Sequence, residues 1–241
     1  MSSDFTRRRL LKSVGAVASA RVLLDSRERS SAAPPDETRP RVLALIGDRY
    51  HNADYIRVAL NRLFQEMNLP IDYTINYDQI SSRLLRPYRL FVVLRDGMIW
   101  PHGYLEPNDY EYSHDLENNK DWPKEQSEPW ITKEQGAAIK DFVEAGGALY
   151  ALHNSSHISL SSQDYREVMG GYILLQSENI DGLTDVAEGK DLGAKATAGW
   201  AYDFGKGRVV FTAVGHTLHA FWQPEYFKLQ KNAVRWLLRT E

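Results

Sequence analysis

Seven histidines stand at positions 51, 102, 114, 153, 157, 216 and 219 of this sequence. Imidazole changes charge near neutral pH, so it can shuttle a proton, ligate a metal or hydrogen-bond a sugar hydroxyl. His51, His153 and His216 each follow an apolar run, directly or within a few residues, and they are the candidates for catalysis. Their wide separation in sequence predicts no coordination geometry, so no metal is assigned, although a divalent metal is compatible with three imidazoles. Trp100, His102, Asn154 and Asp96 are the candidates for substrate binding. Any single histidine has a plainer alternative, which is to donate to a backbone carbonyl and do nothing else.

The stretch 95–130 has little periodicity and is rich in rings: Trp100, Tyr104, Tyr110, Tyr112, Trp122 and Trp130. It also carries Asp109, Glu111, Asp115 and Glu117. Long connections in small domains are binding lids or disordered segments, and six aromatic rings argue against disorder. Rings and carboxylates together suit carbohydrate, by stacking on C–H faces and accepting from hydroxyls; pinning the loop to the domain would use the same rings. Ser155 lies on a strand-to-helix turn, where hydrolases place a nucleophile, but Gly-x-Ser-x-Gly is absent. Gly205-Lys206-Gly207 lacks the context of a P-loop, and no Gly-x-Gly-x-x-Gly follows the first strand.

The elements that must position these side chains are legible from punctuation. Val42-Leu43-Ala44-Leu45-Ile46 is a continuous apolar run ending at Gly47, the pattern of a buried parallel strand. Asn52 is placed to cap a helix whose stripe is Ile56, Ala59, Leu60, Leu63, Phe64 and Met67. Residues 71–75 and 90–94 read as strands. Thr132 and Gln135 form a capping box ahead of a helix with Ile139, Phe142 and Val143 inward, closed by Gly146-Gly147. Residues 148–152 give another buried strand. Residues 196–203 and 208–214 flank the turn Phe204-Gly205-Lys206-Gly207 as a hairpin, and Pro224 opens a last helix packed through Tyr226, Leu229, Ala233, Trp236 and Leu237. Strands alternating with helices predict an α/β fold: one doubly wound, mostly parallel sheet flanked by helices. Ligands of such sheets sit beyond the carboxyl ends of the strands. Those ends are Gly47 to His51, Arg95-Asp96-Gly97, His153-Asn154-Ser155 and Gly215-His216, and three of the four carry a histidine.

Residues 1–33 read as an address. Thr6-Arg7-Arg8-Arg9-Leu10-Leu11-Lys12, a mildly apolar stretch and Ala18-Ser19-Ala20 look like a twin-arginine export signal, with Ser31-Ala32-Ala33 as a second candidate cleavage site. The expected location is periplasmic or extracellular. Residues 34–40 are a linker and 41–239 the folded domain. The whole chain has 29 basic and 32 acidic side chains, a balance of −3. Without residues 1–33 it keeps 22 basic against 29 acidic side chains, or −7. An acidic domain argues against nucleic acid as a partner, and no apolar run is long enough to span a membrane. The expected partner is a small sugar; oligomeric state is left open. The chain has no cysteine, which excludes a thiol nucleophile, a cysteine zinc site and an iron–sulfur cluster.

Three segments together resemble the ThuA-like family, named for trehalose utilisation: Trp200 to Val209 with its Gly205-Lys206-Gly207-Arg208 core, Gly215-His216-Thr217, and Asn232-Ala233-Val234-Arg235-Trp236 with Trp222 and Pro224 before it. Phe142 to His153 and Gly170-Gly171 fit the same family, and the resemblance spans roughly 41–239. It implies the class I glutamine amidotransferase-like fold and a role in disaccharide and keto-sugar metabolism, with His51, His153 and His216 at matching positions. Amidotransferase relatives use a cysteine after the strand equivalent to 148–152; here His153-Asn154-Ser155 stands there, so glutamine hydrolysis is not expected. The chain also departs from the family after Gly171, where Tyr172 runs into Ile173 to Asn179 without the usual His-Pro motif and Asp-Glu pair. The resemblance therefore implies either an enzyme acting on glycosides or keto-sugars, or a non-catalytic carbohydrate- or partner-binding module.

Overall fold

In the computed structural model, residues 41–101, 127–171 and 197–240 are described. The predicted signal 1–33, the linker 34–40, His102, most of the aromatic stretch and the departure after Gly171 lie outside them.

The apolar run β1 (Val42–Ile46) is buried at all five positions, as are β3 (Leu90–Leu94) and β6 (Ala148–Leu152). Strands apolar on both sides must be covered on both faces, and they are. Side chains alternate, so Val42, Ala44 and Ile46 enter one core with α1 (Ala53–Glu66), while Leu43 and Leu45 enter the other with α3 (Lys133–Glu144). With β2 (Ile71–Thr74), β7 (Gly199–Phe204) and β8 (Gly207–Thr212), the six strands lie in the order β2-β1-β3-β6-β8-β7. All neighbours are parallel except β7 and β8, so the sheet is doubly wound and mostly parallel. The chain reverses its winding direction between β1 and β3, the crevice where such sheets place ligands. Pairing of Ile46 with Leu94 and of Leu152 with Thr212 brings four strand exits to one edge.

Helix starts follow their caps. Asn52 accepts from the Asp54 amide at 2.7 Å. Thr132 and Gln135 close the capping box, at 3.2 Å from the Gln135 amide and 2.8 Å from the Thr132 amide. The short helices α2 (Ser82–Leu85), α4 (Ile158–Ser161), α5 (Gln163–Met169) and α6 (Leu218–Trp222) link these elements. A small ribbon of β4 (Met98–Ile99) and β5 (Glu128–Pro129) brackets the aromatic stretch, and Trp130 returns it to the β3 exit by donating to the Asp96 carbonyl at 2.7 Å.

Three local expectations change. The hairpin closes one residue tighter on each side, because Phe204 pairs with Gly207 and only Gly205 and Lys206 turn. Gly205 takes φ +58°, which suits glycine at the first turn position. The second strand ends at Thr74, leaving Ile75 exposed. In α7 (Pro224–Leu238), Leu229 faces solvent, and the buried face is Tyr226, Phe227, Gln230, Val234 and Leu237. Gln230, four residues after Tyr226, wins the inward position because its amide donates to the Phe221 carbonyl at 3.0 Å. No helix among the described residues is long and apolar enough to cross a membrane.

Candidate active site

Four strand exits converge on one buried cluster. After β1 the chain makes a tight loop in which the Asp48 amide donates to the His51 carbonyl and the Asp48 carboxylate accepts from the Tyr50 and His51 amides, at 3.0, 2.7 and 3.0 Å. This self-wrapped loop fixes both side chains. His51 Nδ1 lies 2.8 and 3.0 Å from the two Asp48 oxygens, with both side chains fully buried. The same carboxylate accepts from the Asp96 amide after β3, at 2.8 Å, and from Asn154 Nδ2 after β6, at 3.0 Å. Burial pushes the Asp48 pKa up, but the hydrogen bond and charge of His51, followed by Asn154 and the Asp96 amide, outweigh it and hold the carboxyl below the usual range.

His153 is the first residue after β6, and its backbone sits at φ +50°. A side chain larger than glycine in that region costs on the order of 1–3 kcal/mol and persists where surrounding structure holds it. Here the ring is held by its Nδ1, which donates to the Ala213 carbonyl at 2.8 Å, just beyond β8. The neighbouring strand exit presses close: a Cβ built on Gly215, at φ +155°, would lie 3.1 Å from the His153 Cβ. Burial lowers the His153 pKa to about 4, against the opposing effect of the Ala213 bond, so the ring is neutral at physiological pH.

His216 completes the cluster. Its Nδ1 lies 3.0 Å from His51 Nε2 and 3.3 Å from His153 Nε2, and it is the partly exposed member of the three. The rings meet edge to face, with centroids 4.8 to 5.3 Å apart. Their ligating nitrogens all lie within 4.8 Å of one another, the arrangement that could hold a metal ion.

The substrate-binding candidates divide. Asp96 and Asn154 belong to the cluster: Asn154 Nδ2 is also 3.4 Å from Asp96 Oδ2, and Asn154 Oδ1 is buried without a hydrogen-bond partner among the described residues. Trp100 stands at its rim. It packs edge-on against Tyr50 at 5.7 Å, Tyr50 packs likewise against His51 at 6.3 Å, and the Arg49 guanidinium covers the Trp100 ring at 4.7 Å. His102 lies outside the described residues.

Two members of the site escaped the sequence reading. Asp48 was legible as the Asp of an Asp-x-x-His turn after a strand, a spacing at which the carboxylate caps its own loop and reaches the ring. His157 sits on a 3-10 turn and places Nδ1 3.1 Å from Asp96 Oδ2; only the fold brings these two together. Ser155 is fully buried, a poor station for a nucleophile. A separate cleft lined by Arg86, Arg89, Lys206 and Arg239 opens at the amino edge of the sheet, away from the histidines.

No protein-family model matches the sequence, and none of the curated proteins does. Among solved structures, a protein of Parabacteroides merdae ATCC 43184 described as ThuA-like is 14% identical, with a TM-score of 0.53 over 84% of this chain and 91% of that one. A second ThuA-like structure, from Bacteroides uniformis ATCC 8492, is 13% identical with a TM-score of 0.46 over 83% and 92%. The likeness to the Parabacteroides merdae structure shows that the described chain has the ThuA-like fold, a mostly parallel α/β sheet, here with His51, His153 and His216 gathered at its carboxyl edge.

Proposed function

We propose that the chain is an exported ThuA-like protein of carbohydrate metabolism, acting on a disaccharide or keto-sugar through His51, His153 and His216, as acid/base groups or as metal ligands. The observation that carries this reading is the convergence of the three imidazoles at the sheet mouth. Neutral His153, with its Nδ1 proton committed to Ala213, presents a lone pair at Nε2 into the cluster. Asp48 fixes the His51 ring in the same way, as a carboxylate orients a catalytic imidazole. Tyr50 and Trp100 supply an aromatic rim of the kind on which sugars stack. The shared fold with a structure described as ThuA-like supports the family resemblance from which the sugar reading is drawn. Cysteine-dependent glutamine hydrolysis is excluded by composition.

Incubation of the purified protein with a panel of ordinary and 3-keto disaccharides, read by mass spectrometry, tests it. Turnover that disappears in His153→Ala and His216→Ala is expected. No turnover, together with sugar binding unchanged in both variants, refutes it; calorimetric binding without turnover identifies a carbohydrate-binding module instead. Export is tested by fractionation: an Arg7→Lys/Arg8→Lys variant should stay inside the cell, and unchanged export removes the twin-arginine reading.

A further inference from the structure

His51 Nδ1 faces two carboxylate oxygens, so it must carry a proton, because a lone pair there would face the lone pairs of Asp48. Asn154 Nδ2, 3.0 Å from that nitrogen, is equally close to Asp48 Oδ2 and 3.4 Å from Asp96 Oδ2, and its two hydrogens have those carboxylates as acceptors. His153 Nδ1 donates to the Ala213 carbonyl and also carries a proton. With a single proton on each ring, both Nε2 atoms are lone pairs, and both point at His216 Nδ1. One ring nitrogen can offer at most one proton to two acceptors. A cation satisfies all three nitrogens at once.

We propose that His51 Nε2, His153 Nε2 and His216 Nδ1 bind one first-row transition-metal dication of the zinc class. This deepens the reading above; it rests on the cluster being the chemical centre and not on the identity of the sugar. Two of the nitrogen separations are 3.0 and 3.3 Å, and metal–nitrogen bonds of about 2.0–2.1 Å at a tetrahedral angle hold donors about 3.3 Å apart. Nitrogen-only donors select zinc, cobalt, nickel or copper over magnesium and calcium, which require oxygen. Both buried rings have the outer partner that metal-bound histidines use, a carboxylate for His51 and a backbone carbonyl for His153. Three protein ligands leave a fourth position for water or substrate, as in catalytic rather than structural zinc sites. His216, the partly exposed ligand, marks the side from which that position is reached.

The full chain, stripped with a chelator, is titrated with Zn²⁺ and Co²⁺. The expected result is one ion per chain, with a visible cobalt band of tetrahedral intensity and X-ray absorption showing three imidazole nitrogens. His216→Gln, at the exposed ligand, should abolish stoichiometric binding with unchanged circular dichroism, and Asp48→Asn should weaken it about 10- to 100-fold. His219→Ala, which alters an exposed ring bonded to Gln223, should bind as the parent does. Absence of binding by the folded parent, or full stoichiometry retained in His216→Gln, overturns the proposal. If either variant misfolds, the imidazole count in the parent decides alone: fewer than three refutes it. Metal bound without sugar turnover removes the sugar and keeps the centre, whereas sugar turnover by the metal-free chain removes the centre and keeps the sugar.

Discussion

Replacing Asp48 with asparagine changes one buried oxygen into an N–H₂ group while keeping shape. Oδ1 receives the Tyr50 amide, the His51 amide and the His51 ring; Oδ2 receives the Asp96 amide and Asn154. The new amide will put its nitrogen on the Oδ2 side, where it displaces fewer donors. Two buried N–H groups then face another N–H. Each costs about 1–3 kcal/mol, which gives about 2–6 kcal/mol in all. Rotation of Asn154 offers little relief, because its oxygen would then approach Asp96 Oδ2, now 3.4 Å from its nitrogen. Domains are stable by about 5–15 kcal/mol, so this is a large share. Urea unfolding at neutral pH, with chelator present, reads it: at a slope near 2 kcal/mol per molar, the midpoint should fall by about 1–3 M with the slope unchanged. Asp54→Asn is the control, because that carboxylate is three-quarters exposed beside Arg57 and should change stability by less than about 0.5 kcal/mol. A midpoint shift below about 0.5 M for Asp48→Asn would refute the account of the carboxylate as the hub of the site.

Acid should destabilise the metal-free protein in a defined window. The His153 pKa falls from an ordinary 6.5 to about 4, so the unfolded chain takes up a proton that the folded one refuses; stability is full above pH 6.5 and lost by about 3 kcal/mol as pH drops to 4. Urea midpoints measured across that range should lose this slope in His153→Gln. Gly215→Ala should lower the melting temperature by several degrees, since its Cβ would meet His153 at 3.1 Å and Phe221 at 3.3 Å on a strained backbone, a cost of about 1–3 kcal/mol. On the last helix, Leu237→Ala should cost about 2–5 kcal/mol and Leu229→Ala less than about 0.5 kcal/mol; equal losses would overturn the assignment of the buried face.

Strands 42–46, 90–94 and 148–152 were legible because residues buried on both faces leave an unbroken apolar run, and helix starts because caps are local in sequence. Leu229 misled because a pattern of apolar residues cannot weigh a polar side chain with a buried partner, which is what Gln230 has in the Phe221 carbonyl. The triad His51, His153 and His216 could be anticipated from strand ends alone, since a parallel sheet delivers all its exits to one edge. Its mutual geometry could not, because 3.0 and 3.3 Å contacts across 165 and 63 residues depend on strand order and register. His157 shows the same limit: its link to Asp96 crosses 61 residues.

The Asp48 carboxylate joins the exits of β1, β3 and β6 through the amides of Tyr50, His51 and Asp96 and the side chain of Asn154. The backbone N–H groups of loop residues, which elsewhere exchange with solvent by local opening, are here bonded to a carboxylate with no exposed surface. The amides of Tyr50, His51 and Asp96 should therefore exchange hydrogen as slowly as those of the central strands. Assembling the site and closing the central sheet become one cooperative event, and a chain that has lost its chemical centre will show it first in the exchange of those three amides.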